Sequence, residues 1–184
     1  MLGFHFGPRP TVSRHLEVLR RRFRQRAWVL NHLKQVGFNR DELAWVYRSM
    51  VRPVADYMPV VYHSMLNDRQ DEQVERMQSQ ALKIIYGKDI SHAKMRELAE
   101  VSTLRQRRIE ACDSFAAKAS KGKFSHWFPV CTRARSGTRS GSGVVYEEKF
   151  ARCDRLRNSP LYYMRRRLNG RAGKTYGERN KQYR

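Results

Sequence analysis

The chain has 184 residues, 40% of them hydrophobic, with a net charge of +21 and a pI near 10.7. That apolar share supports a core over part of the chain, and no run of about 18 apolar residues exists to cross a membrane. The charge selects polyanionic partners, nucleic acid before anionic membrane or acidic protein tails, while the three scattered cysteines, Cys112, Cys131 and Cys153, exclude a Cys-x-x-Cys zinc module and a disulfide framework.

In chain order, residues 1–10 read as an extended strand with Phe4 and Phe6 alternating, closed by Gly7-Pro8-Arg9-Pro10. Residues 12–36 form the first helix. Val12, Leu16, Leu19, Phe23, Ala27, Leu30 and Leu33 step by threes and fours, and Gly37 supplies the stop. Arg14, Arg20, Arg21 and Arg24 fall on the other side, with Trp28 and His32 among them. A basic face with an aromatic interleaved suits phosphate contacts and stacking; the alternative is a solvated charged face.

Asn39 caps the next helix, with Asp41 and Glu42 in its first turn. Pro53 ends or kinks it, and Pro59 predicts a second kink within the apolar run 54–65. Asp56 is placed to pair Arg52 one turn back, and His63 to meet a backbone carbonyl, both as structural groups. Asn67-x-x-Gln70 reads as a capping box. It opens a helix buried through Val74, Met77, Ala81, Ile84 and Ile85 and ended by Gly87. Ser91 caps a short helix to about Ala99. Leu104, Ile109, Cys112, Phe115, Ala116 and Ala119 mark the last helix of the bundle, which also carries Arg105, Arg107 and Arg108. Beyond it, residues 123–131 are expected to dock aromatics, 132–143 to form a Gly/Ser/Arg linker, 144–168 to form short helices broken at Ser159-Pro160, and 169–184 to be a disordered basic tail. From 133 to 184 there are fifteen Lys/Arg against four Asp/Glu, which reads either as a polyanion-binding arm or as a solubilising tail.

The stretch from Glu42 to Gly87 is the most distinctive. It carries Tyr47, Arg52-Pro53, Asp56-Tyr57, Pro59-Val60, Tyr62-His63, then Glu75-Arg76 with Gln78, ending in Gly87. This order resembles the helical region that follows the palm in reverse transcriptases of non-LTR, LINE-like retroelements. Leu2, Gly3 and Phe6, Thr103-Leu104 with Arg107-Arg108, and Ser159-Pro160-Leu161 extend the likeness over residues 2–170. The resemblance implies a thumb-like position beyond the active site, gripping a template-primer. It also implies that 1–10 is a remnant of the palm-proximal hairpin, with a palm in cis or in trans as protein partner.

Catalytic signatures are missing from the sequence. A polymerase holds two divalent cations with carboxylates, and the palm supplies them partly through an Asp-Asp turn, yet no Asp-Asp pair occurs. No Walker lysine motif, Gly-x-Ser-x-Gly or His-Glu-x-x-His occurs either. An iron dioxygenase would need a His-x-Asp pair, which is also absent.

The sequence therefore predicts a mostly α fold: a bundle of about five helices over 11–122, a short N-terminal strand and a basic C-terminal tail. The expected function is binding of RNA, DNA or an RNA–DNA hybrid through phosphates. No catalytic residue and no cofactor are expected in this chain; Mg2+ would belong to the missing palm. The expected contacts are Arg14, Arg20, Arg21, Arg24 and Trp28, then Arg105, Arg107 and Arg108, then Arg165, Arg166 and Arg167. No membrane partner is expected, and the site of action is intracellular, with the nucleus one such site. The competing reading is a helical protein-interaction module, or a retroelement relic whose charge is incidental.

Overall fold

The computed structural model describes residues 12–131, 145–148 and 153–170. The expected N-terminal strand, the linker and the C-terminal tail from 171 onward lie outside them. The described residues are mostly α-helical: α1 (Ser13–Gln35), α2 (Arg40–Val46), α3 (Arg52–Ala55), α4 (Pro59–Tyr62), α5 (Asp68–Tyr86), α6 (His92–Leu98), α7 (Leu104–Lys121), α8 (Asp154–Arg157) and α9 (Pro160–Leu168).

The chain forms two compact units. Among the described residues, the first comprises 12–59 and 66–108, the second 60–65, 109–131, 145–148 and 153–170. The single bundle expected over 11–122 is thus divided, because the segment 60–65 and the later part of α7 belong with α9.

In the first unit α1 packs along α5. Leu16, Leu19, Phe23 and Leu30 form its buried stripe at the spacing read from the sequence. Leu30 is fully enclosed, and burying such a side chain stabilises by roughly 1.5–3 kcal/mol. Gly37, at φ +102°, ends the helix, and the Phe38 N–H returns to the Leu33 carbonyl at 3.2 Å. The capping box expected at Asn67 forms, and the cap expected at Asn39 is a capping box as well. Asn39 accepts from the Asp41 and Glu42 amides while Glu42 returns to the Asn39 N–H at 2.9 Å. Asn67 accepts from the Gln70 amide at 2.9 Å and Gln70 returns at 3.1 Å.

The two prolines act differently from one another. Pro53 has no N–H for the Ser49 carbonyl. The chain meets this with a π turn over Tyr47–Val51, in which the Arg52 N–H reaches five residues back to Tyr47. At Pro59 the expected kink is instead a full break. A residue before proline is driven out of the helical region. Met58 has left that region, though at a left-handed φ of +50° and not in the extended region this restriction favours, and Pro59 starts α4.

In the second unit Cys112, Ala116 and Ala119 of α7 pack with Phe128, Tyr163 and Met164. Of the aromatics in 124–128 only Phe128 docks; Phe124 and Trp127 stay exposed and stack on each other at 4.6 Å. His63 meets the Tyr163 hydroxyl at 3.2 Å, and the Ser64 hydroxyl donates to the Asn158 carbonyl at 2.8 Å. The region 153–170 is therefore part of a core.

Candidate nucleic-acid interface

Helix α1 carries six arginines and one lysine against a single glutamate, Glu17. Its apolar stripe is committed to α5, so the charged positions must face outward. Arg14, Arg20, Arg21, Arg24 and Trp28 are all exposed, as expected. At 100° per residue they span an arc of about 120° on the helix. None of the four arginines has a hydrogen-bond or ion-pair partner among the described residues. The indole of Trp28 is 66% exposed and lies nearly parallel to the His32 ring, at 5.6 Å between centroids and 6° between planes.

Beside this face runs a cleft between α1 and α5. Arg20, Arg24 and Ala27 form one wall, and Gln73, Arg76 and Gln80 the other, with Phe23 and Met77 between them. Farther along, Asn31, Lys34 and Gln35 face Gln80, Lys83 and Lys88. No acidic residue lines either stretch. Glu72 meets Arg76 at 3.3 Å from outside, both side chains largely exposed; such a pair contributes little. Lys34 donates to the Ile84 carbonyl at 2.5 Å, which sets a cation at the negative end of α5. From Arg20 to Lys34 the cleft extends about 21 Å at 1.5 Å per residue. That is the axial length of about six base steps of a duplex at 3.4 Å each.

The α5 wall was not among the residues singled out from sequence. Gln73, Arg76, Gln80 and Lys83 share one face of that helix, and the signal was there in their spacing of three and four. It is obscured because Arg76 enters the sequence reading only through the Glu75-Arg76 of the family resemblance.

The α7 cluster has a different setting. Arg108 is 1% exposed. It donates to the Asp71 carboxylate and lies 3.8 Å from Glu75. Arg107 grips Asp56 with two nitrogens, at 3.0 and 2.8 Å, and Arg52 approaches the same carboxylate at 3.6 Å. Burial, and then Arg107, lower the pKa of Arg52. Arg105 is half-buried, 3.5 Å from Asp71. Glu75 accepts from the Arg105 backbone N–H at 2.6 Å, so it caps α7 together with Thr103, whose hydroxyl takes the Gln106 N–H at 3.0 Å. Burial raises the Glu75 pKa against those two stabilising influences, the amide and Arg108. Gln78, wholly buried, donates to the Ser102 carbonyl at 3.0 Å.

This arrangement corrects the reading of α7 as an open basic cluster. Arg108 presents no charge to solvent, and the Arg107 guanidinium is matched by Asp56. On α9, Arg167 pairs Asp113 through two nitrogens of one guanidinium edge, which raises its pKa through that hydrogen bond. Arg165 donates to the Trp127 carbonyl at 2.9 Å. Arg166 is half-exposed. The residues that carry the family resemblance are likewise engaged inside the fold: Asp56 with Arg107, Glu75 with α7, Gln78 with Ser102, His63 with Tyr163.

His92 completes the polar inventory. Its Nδ1 accepts from Arg96 at 3.3 Å, and burial, then Arg96 and Lys83, lower its pKa. Among the described residues no group of three or more His, Cys, Asp or Glu side chains is placed to hold a metal ion, and no helix is long and apolar enough to cross a membrane. Comparison with family models, with curated proteins and with solved structures gives no match to this chain.

Proposed function

We propose that this chain binds nucleic acid through the α1–α5 cleft, as a non-catalytic segment related to the thumb-side region of retroelement reverse transcriptases. The observation that carries the binding is the pairing of two facts about one face. Arg20, Arg24 and Arg76 line a cleft without acids, and Arg20 and Arg24 have no partner among the described residues. Guanidinium groups in that state are available to phosphate oxygens, which they recognise with paired N–H donors. The contacts would be to the backbone, so they position a strand and carry little sequence information. The link to reverse transcriptases rests on the resemblance in sequence, chiefly the ordered residues from Tyr47 to Gly87.

The test is the affinity of the full chain for a short RNA–DNA hybrid from about 50 to 200 mM salt. Each phosphate neutralised adds about 0.9 to the slope of log affinity against log salt. The variant R20Q/R24Q/R76Q is expected to flatten the slope by roughly 2–3. It should keep its thermal midpoint, because these positions make no buried contact. An unchanged slope would remove the cleft from the account.

A further inference from the structure

The cleft accounts for phosphates. It does not account for Trp28, a large apolar side chain held in water beside it. Surface tryptophans that cover a neighbouring element are common, but among the described residues the one ring contact of Trp28 is His32, one turn along the same helix. That contact orients the indole. Two nearly parallel rings 5.6 Å apart are offset, so each keeps part of its face open. Arg21 and Arg24, two turns and one turn before it, have no partner among the described residues, and Asn31 and Gln35 continue the same exposed ridge. The result is an exposed aromatic plate set among cations without a partner there.

Resting on the nucleic-acid reading above, we infer that the α1 face takes a single strand, with an unpaired base stacked on Trp28 while Arg20, Arg21 and Arg24 hold the flanking phosphates. The choice of a single strand follows from geometry. Bases inside a duplex have their faces covered by neighbours, and a plate projecting from a convex helix could reach them only by opening the stack. An unpaired base offers its whole face, whatever its identity. A single strand also lets the backbone follow a helix ridge and a cleft a few ångströms apart. The cation-rich surroundings exclude a plain apolar ligand, since nothing apolar requires the arginines. An acidic protein segment satisfies the arginines but gives Trp28 no planar partner.

The chain contains three tryptophans, and W45F/W127F leaves Trp28 as the only reporter. Both replaced residues are exposed. In that full-length background, an oligothymidylate of about 12 nucleotides, a duplex of equal length and polyglutamate are titrated while Trp28 emission is followed. Binding elsewhere on the chain leaves this signal unmoved. The expected result is quenching by the single strand and not by the other two. In a parallel measurement with labelled strands, Trp28→Ala should weaken single-strand binding by roughly 5- to 150-fold, the range for loss of one base–aromatic stack, and leave duplex affinity unchanged. Trp28→Phe should restore most of the loss, since a smaller ring still stacks. Equal quenching by the duplex, or an unaltered single-strand affinity in Trp28→Ala, overturns the inference while the cleft keeps its phosphates. Quenching by polyglutamate as strong as by the strand overturns it in favour of an acidic protein partner. No binding of either nucleic acid at low salt removes the inference together with the function it rests on.

Discussion

Helices α1 and α7 carry almost the same local sequence signal. One has Arg20, Arg21 and Arg24, the other Arg105, Arg107 and Arg108, each set beside a turn of apolar residues. The fold gives them opposite roles. Across from α7 stand Asp56, Asp71 and Glu75, and its arginines become internal ties. Across from α1 stand Gln73, Arg76 and Gln80, and its arginines remain open. The charge on a helix therefore says little about its partners until the sign of the facing element is known. A guanidinium already chelated by a carboxylate brings no net attraction for a phosphate. A free one in a cleft without acids brings nearly its full charge.

The sharpest way to break this comparison is to treat an α7 arginine as expendable. Arg108→Ala leaves Asp71 and Glu75 facing each other with their shared cation gone. Removing one partner of a buried pair costs about 3–5 kcal/mol, so the urea midpoint should fall severely; a midpoint near that of the native chain would mean that Arg108 is not an internal tie. Next comes Asp56→Asn, which keeps the shape but leaves Arg52 and Arg107 close together without a carboxylate. Hydrogen bonds to charged groups contribute about 1.5–3 kcal/mol, and a loss of that order should appear in chemical denaturation. Smaller still is the titration of His92. Its pKa is depressed in the fold, so the unfolded chain binds the proton first. Stability is then complete above the ordinary value of 6.5 and declines as pH falls from there toward the folded-state pKa. His92→Gln should flatten that part of the profile of thermal midpoint against pH, and an unaltered slope would deny the burial assigned to this ring.

The same contrast shows what was legible in the sequence. The stripe of α1, the stops at Gly37 and Gly87 and the caps at Asn39 and Asn67 are local signals, set by residues within a turn of one another. They appear where the spacing placed them. The exposed face of α1 was legible for the same reason: Leu16, Leu19, Phe23 and Leu30 fix one side, and the arginines have only the other. The partners of α7 were not. Asp71 lies 37 residues from Arg108, and Asp56 lies 51 from Arg107. No periodicity within a helix reports which distant carboxylate will face it. One clue is available: Asp56 sits in the apolar run 54–65, where a carboxylate requires a cation. The break at Pro59 followed from the restriction on the residue before a proline, but the run 54–65 is so apolar that it read as one buried helix. The division into two units depends on Tyr62 and His63 siding with α9, a tertiary choice with no local signature.

The central claim is that α1 arginines serve a polyanion and α7 arginines serve the fold. Its most direct test compares the salt dependence of nucleic-acid binding for the full chain, for R20Q/R21Q/R24Q and for R107Q, with a denaturation curve for each. The account predicts a slope shallower by roughly 2–3 and an unchanged midpoint for the α1 variant. For Arg107→Gln it predicts the native slope and a lowered midpoint. If both variants lost slope equally with their midpoints intact, the two helices would be equivalent cationic surfaces, and the distinction drawn between them would be wrong.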